Sequence, residues 1–202
     1  MVGHPSAAPV LFASGELRAR DLTSSDVPAL QALFDANPEY FLTINGRRPH
    51  PNEAQVEFEE LPPAFLTYTH RWVPGLYDRS DQLVGVASVL SDLMAQGIWH
   101  IGLLLIATRL HGRGQASAIY SALESWAFAG GAEWMRLGVV TGNDRAERLW
   151  DRLGFVEVRR RAGVDTGGRI NDVKVMVKPL RGGRIADYLA RIERDRPDST
   201  LP

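Results

Sequence analysis

Two glycines set between an apolar run and a helical pattern are the first residues of this chain with a chemical consequence. The run is Ile98-Trp99-His100-Ile101-Gly102-Leu103-Leu104-Leu105-Ile106, strand-length and rich in branched side chains. A short loop, Ala107-Thr108-Arg109-Leu110, leads into His111-Gly112-Arg113-Gly114-Gln115-Ala116. Ile119, Leu123, Trp126 and Ala127 then fall at helical spacing, and Gly130-Gly131 closes the helix. Backbone N–H groups at such a turn have no intrahelical partners, and the helix dipole favours negative charge beside them. The sequence thus builds an anion site suited to phosphate. The glycines do not form a P-loop, and they miss the dinucleotide fingerprint because Ser117 stands near the place of its third glycine.

A second constellation follows: Asn143-Asp144-Arg145-Ala146-Glu147-Arg148-Leu149-Trp150-Asp151-Arg152-Leu153-Gly154-Phe155. In this order and separation, the two segments resemble the motifs of the GCN5-related N-acetyltransferases, the GNAT family. The first resembles Q/R-x-x-G-x-G/A. Arg109-Leu-His-Gly112-Arg-Gly114 matches that pattern literally; His111-Gly-Arg-Gly114-Gln-Ala116 instead keeps the helix start and Gly130-Gly131 where the family has them, with His in the Q/R place. The second is similar to N-x-x-A-x-x-L-Y-x-x-x-G-F, with Trp150 where tyrosine is usual.

The resemblance implies an acyl-CoA-dependent N-acetyltransferase with acetyl-CoA as co-substrate, no metal, and a small-molecule or peptide amine as acceptor. It implies that backbone groups of Leu104, Leu105 and Ile106 pair with the pantetheine arm, and that Leu110, His111, Gly112, Arg113, Gly114, Gln115 and Ala116 hold the pyrophosphate. Asn143, Ala146, Leu149 and Trp150 would complete the cofactor wall, although Asn143 has a competing role as a helix N-cap and Trp150 as core. Arg109 and Arg113 either add charge at the phosphates or stay solvated. His100 shares a strand face with Gly102, Leu104 and Ile106, where several family members place a catalytic glutamate, and an imidazole is a reasonable base near neutrality. The competing reading is a hydrogen-bonded histidine at a strand end. Glu39, Asp92 and His50 are the other base candidates. The resemblance leaves two further readings open, a CoA-binding sensor without strong catalysis and a non-enzymatic partner-binding protein.

Composition narrows the field. The chain has 202 residues, a formal net charge of −1 and no cysteine. That balance gives no bias toward nucleic acid or an anionic membrane, and it leaves no disulfide frame, cysteine-based zinc site or cysteine nucleophile. Without a signal-like leader or a span-length apolar run, the expectation is a cytoplasmic protein.

The elements that must position these residues are legible in outline. Residues 1–15, rich in proline, alanine and serine, read as a poorly ordered lead-in. A strand over 16–20 precedes a capping box at Thr23 and Asp26, then a helix ending before Asn37-Pro38. Residues 39–51 read as a polar connection, which in the resembled family forms acceptor wall and here offers Tyr40, Phe41, Arg47, Arg48 and His50. A helix over 52–61, acidic outside, follows. Strands over 71–77 and 82–90 make a hairpin, with Pro74 marking an edge or bulge. Further strands are predicted over 135–140, 155–159 and 172–178, with a glycine-rich loop at 162–169. A helix over 184–194 reads as an appended packing or homodimer element beyond a domain at 16–180. Together these give a mixed α/β fold. The resemblance specifies a central, mostly antiparallel sheet of six to seven strands flanked by helices and splayed between its fourth and fifth strands, here 98–106 and 135–140.

Overall fold

The computed structural model describes residues 9–112 and 114–201. Its centre is a nine-stranded sheet whose strands follow the chain as β1 (Val10–Ser14), β2 (Leu17–Asp21), β3 (His70–Trp72), β4 (Pro74–Tyr77), β5 (Leu83–Ser91), β6 (Ile98–Ile106), β7 (Trp134–Val140), β8 (Val156–Asp165) and β9 (Ile170–Pro179). The order across the sheet is β1-β2-β4-β5-β6-β7-β9-β8, with β3 also on β5. All pairs are antiparallel except β6 with β7. Six helices flank it: α1 (Val27–Ala36), α2 (Pro38–Ile44), α3 (Glu53–Glu59), α4 (Gln115–Ala129), α5 (Asp144–Arg152) and α6 (Ile185–Arg191).

The parallel pair is where the sheet opens. β6 and β7 are in register from Ile98 opposite Trp134 to Ile101 opposite Leu137, and the pairing stops there. On its other side β6 carries a bulge: Ser88 faces Leu103 while Val89 faces Ile101, so Gly102 is the extra residue. The expected splay between 98–106 and 135–140 is therefore present, and the extra residue sits beside it.

Helix α4 fits under the sheet because of its ends. Gly114 is its N-cap at φ +76°, a backbone state that favours glycine. At the far end a Cβ on Gly130 would lie 2.7 Å from the Trp99 ring, so the glycine lets the chain turn against that indole. Trp99 stacks on Trp72 at 5.1 Å, and Trp126 of α4 meets both edge-on.

Several expectations are corrected here. The lead-in over 1–15 supplies β1, because Phe12 is buried against Trp126; residues 1–8 lie outside the described residues. The strand predicted over 71–77 is divided at Val73, whose carbonyl and N–H go to Leu22 and Asp21. These two changes raise the strand count from seven to nine. Residues 38–44, expected as connection, form α2: Pro38 ends α1 and also occupies the first turn of the next helix, where its missing N–H costs nothing. The hairpin β8–β9 takes in the first half of the loop predicted at 162–169, with 166–169 left as its turn. Helix α6, read from the sequence as a packing or homodimer element, packs on its own chain: Tyr188 and, just past the helix, Ile192 are buried in an apolar cluster with Ile98, Trp134, Val158, Val175 and Val177.

Candidate active site

Around the opening between β6 and β7 lie neighbouring cavities that share lining residues. One, about 280 Å³, is walled by Leu104, Leu105 and Ile106 of β6, by His111 and Ala116 at the start of α4, and by Asn143, Ala146, Leu149 and Trp150 of α5. These nine are residues singled out from the sequence, now gathered around one space. Gly112 and Gly114, in the chain between its lining residues His111 and Ala116, have positive φ, and a Cβ built on either would meet nothing within 4 Å among the described residues. Leu110 instead packs on the core and Gln115 is exposed at the first turn of α4. Arg113 lies outside the described residues. Arg109 is turned away and pairs with Asp78 at 3.2 Å.

Local contacts hold this cavity in shape. The His111 Nε2–H donates to the Ile106 carbonyl at 2.7 Å, tying the glycine turn to the end of β6. Its Nδ1 is buried with no partner among the described residues, and burial lowers the ring's proton affinity. That leaves an unprotonated acceptor beside the cavity. Asn37, at the α1–α2 junction, accepts from the Thr108 N–H at 2.7 Å and donates to the Leu33 carbonyl. The Asn143 Oδ1 caps α5 by accepting from the Ala146 N–H at 3.2 Å, so the cap role uses the oxygen and leaves the amide N–H₂ for the cavity. Trp150 is buried edge-on against Tyr120 and Phe155 at 5.4 and 5.2 Å, and it lines the cavity.

Past Leu104, Trp150 and Tyr40 lies a second cavity of about 380 Å³, shared with the first through those residues and Asn143. Its floor is His100, Gly102 and Arg136; its walls are Ile44 of α2, Val164 and Thr166 of the β8–β9 hairpin, and Arg161 and Arg194. A third cavity, about 280 Å³, adjoins it across His100, Gly102 and Arg136 and is lined by Glu57, Glu60 and Arg71.

His100 faces these spaces with its neighbours on the predicted strand face, but its surroundings change its chemistry. Its Nδ1 is 3.1 Å from the Arg136 carbonyl and 3.2 Å from an Arg136 guanidinium nitrogen. Burial first, then the Arg136 charge, push its pKa down to about 3, so it stays neutral and binds a proton weakly. Arg136 is itself buried and forms a two-point ion pair with Asp195, which also accepts from the Tyr188 hydroxyl at 2.5 Å.

Glu57 is a group the sequence reading missed. Burial first, then the charge of Glu60, raise its carboxyl to about 7. A signal was present: Ala54, Glu57 and Phe58 share one helical stripe, and Ala54 is fully buried while Phe58 packs on the core. Arg145, which lines the first cavity from the first turn of α5, was also missed. Of the loop residues offered as acceptor wall, Tyr40 lines the cavities, Phe41 is core, and Arg47 and His50 are engaged by the Glu53 carboxylate at the start of α3. Asp92 is held by the Gly97 N–H at 2.7 Å.

Comparison with known proteins gives the following. The family model described as the acetyltransferase (GNAT) family matches residues 30–155. Among solved structures, the chain is similar to an acetyltransferase from Thermus thermophilus (TM-score 0.63, 24% identity, covering 81% of this chain and 97% of that one). It is also similar to the spermidine N-acetyltransferase from Vibrio cholerae in complex with CoA and spermine (TM-score 0.63, 18% identity, 82% and 96%). A third is a GCN5-related N-acetyltransferase from Kribbella flavida (TM-score 0.59, 19% identity, 83% and 100%). No curated protein matches the chain.

Proposed function

The chain belongs to the acetyltransferase (GNAT) family, and from that premise we propose that it transfers the acetyl group of acetyl-CoA to a primary amine by direct attack in a ternary complex. The observation that carries this reading is that the first and second cavities share Leu104, Trp150, Tyr40 and Asn143 as lining at the point where β6 and β7 part. The first suits a phosphate-bearing arm and the second a small acceptor.

Acetyl-CoA supplies an acyl group activated as a thioester, and the residues present suit it. Open space over Gly112 and Gly114 leaves the first-turn N–H groups of α4 accessible to phosphate. The apolar wall of Leu104, Leu149 and Trp150 suits a pantetheine chain, and the Asn143 amide and the bare His111 Nδ1 offer it a donor and an acceptor. Backbone N–H groups at the Gly102 bulge are the donors available to an oxyanion at the splay.

The acceptor must attack as a free amine. As the C–N bond forms and the C–S bond breaks, the nitrogen gives up a proton. Glu57, with a carboxyl near neutrality in the cavity next to Gly102, is suited to receive it directly or through water. His100, expected from the sequence as base, is better suited to shaping the floor, because so weak a proton acceptor adds little at neutral pH. No ionisable acid need reach the sulfur, since a thiol of this kind leaves readily as a thiolate.

A small-molecule amine is the acceptor class we favour, and the similar Vibrio cholerae enzyme is one that acts on such a molecule. Steady-state CoA release with acetyl-CoA and a panel of amines tests the reading. Turnover with at least one primary amine, and an N-acetylated product by mass spectrometry, is the expected result. Tight CoA binding with no turnover across the panel would replace it with a CoA-sensing role. In neither case does the protein need to cross a membrane, and among the described residues no helix is long and apolar enough to do so.

A further inference from the structure

The cavity of about 380 Å³ gathers three arginines. Arg136, Arg161 and Arg194 all line it, brought there from β7, β8 and the chain's end. Asp195 neutralises Arg136 through two hydrogen bonds of 2.7 and 2.9 Å. Arg159, next to the cluster, is held by carbonyl oxygens of the returning tail, Ser199 among them at 2.6 Å. Arg161 and Arg194 have no ion-pair or side-chain hydrogen-bond partner among the described residues, and the Arg194 Nε is buried without a partner. Burial first, then the charges of Arg161 and Arg136, pull Arg194 down to about 10; burial and the charges of Arg159 and Arg136 lower Arg161 as well.

Such a cluster is costly in an empty site, because each half-buried guanidinium loses hydration and repels its neighbours. A carboxylate or phosphonate would supply the missing countercharge and accept the paired N–H groups on two of its oxygens in fork geometry. Beside the arginines the wall carries a run of aliphatic side chains, Ile44, Val140, Val164, Val173 and Val175, and Thr166 offers no free hydroxyl proton because it donates to the Ile44 carbonyl at 2.8 Å. Across His100 and Arg136 the polarity reverses: Glu57 and Glu60 line the adjoining cavity, their charge partly offset by Arg71. The site is therefore bipolar, acidic where an ammonium would approach and basic on the far side of the floor.

We propose that the acetyl acceptor is a small zwitterion, an apolar amino acid or its phosphonate analogue, whose oxyanion is bound between Arg161 and Arg194 while its amine points to the Gly102 bulge. This deepens the acetyltransferase reading and rests on it. The same arrangement disfavours polyamines, whose second ammonium would have to enter the arginine cluster.

The test compares kcat/KM with acetyl-CoA for leucine and methionine, their carboxamides, the matching 1-aminoalkylphosphonates, and spermidine. Free acids or phosphonates should exceed the carboxamides by ~10²-fold, because the amide leaves buried guanidinium donors unpaired. Whichever of carboxylate and phosphonate leads identifies the oxyanion. Arg161→Gln and Arg194→Gln should each collapse that preference toward one. Carboxamides or spermidine turned over as well as the acids would overturn the proposal. Binding of N-acetylleucine against N-acetylleucinamide, read by calorimetry, needs no turnover. A clear preference for the acid there, lost in Arg194→Gln, would keep the oxyanion site standing even if no amine were acetylated; no preference in either measurement would remove it.

Discussion

Arg136 and Asp195, 59 residues apart in sequence, meet in the interior as a two-point ion pair, with Nε to Oδ2 at 2.7 Å and Nη2 to Oδ1 at 2.9 Å. Both are buried, and the pair fastens the chain's last turn beneath the floor of the acceptor cavity, under His100. Removing one partner of a buried pair leaves the other charge uncompensated. Asp195→Ala should therefore cost about 3–5 kcal/mol, while Arg136→Met with Asp195→Leu should recover much of that loss. Denaturant midpoints for the wild type, the single and the double variant check this. A single variant within about 1 kcal/mol of wild type would show that the tail is not held by this pair.

The cofactor end makes a separate claim. Ligands that bind only the native state raise its melting temperature, so CoA should do so. Gly114→Glu should abolish that rise, because the carboxylate would stand in the open space at the N-terminus of α4 and repel phosphate. Gly114→Asn should retain most of it, since asparagine tolerates the φ of +76° that this N-cap requires. Thermal shifts with and without CoA decide the matter, and an unchanged shift in Gly114→Glu would move the phosphate site elsewhere.

What the sequence made legible follows the range of the interactions. The apolar run of β6, the glycine turn and the stripe of α4 are local patterns, and so is the Asn143 to Phe155 segment, so the first cavity could be assembled residue by residue. Pro38 was harder, because one proline can both stop a helix and start the next. Glu57 was hidden by its company, since a run of acidic residues reads as a solvated face unless its stripe with Ala54 and Phe58 is followed. Arg161, Arg194 and Asp195 belong to no motif. They meet only because β8 lies outside β9 and the tail returns across the sheet, which no local pattern encodes.

Base catalysis separates Glu57 from His100 by pH. The Glu57 carboxyl is raised from 4.5 to about 7, so kcat/KM should climb with pH and reach half its plateau near 7. Glu57→Gln should lower the plateau by ~10²-fold and flatten that limb. Stability should respond with the opposite sign. Between pH 4.5 and 7 the native state holds a proton the unfolded chain has lost, so burial of Glu57 costs stability as pH rises through that window. Glu57→Gln should then be more stable than wild type at pH 8, by on the order of 2–3 kcal/mol. His100, pushed down to about 3, acts in the other direction: its contribution is intact above pH 6.5 and is lost as pH falls below it. His100→Gln should leave the activity midpoint near 7 in place. A midpoint that disappeared in His100→Gln and survived in Glu57→Gln would return the base to the histidine.

Trp150 stands where the resembled family usually carries a tyrosine able to protonate the leaving sulfur. Indole offers an N–H donor but no usable acid at neutral pH, so the side chain cannot make the same proton transfer. Its environment indicates the work it does instead. It is buried edge-on between Tyr120 and Phe155, and it lines both the first and the second cavity. A wall role predicts that Trp150→Phe keeps most of kcat, whereas Trp150→Ala loses CoA affinity and about 3–5 kcal/mol of stability together, because the aromatic packing goes with it. Tyr40 lines the same two cavities, and burial raises its phenol above the ordinary value, so it holds its proton tightly. Tyr40→Phe should for that reason also retain kcat. Steady-state kinetics at saturating acetyl-CoA, paired with urea melts, distinguish the cases. A loss of ~10³-fold in kcat for Trp150→Phe at unchanged KM would mean that the indole N–H acts in the transition state. The same loss in Tyr40→Phe would make the phenol the missing acid.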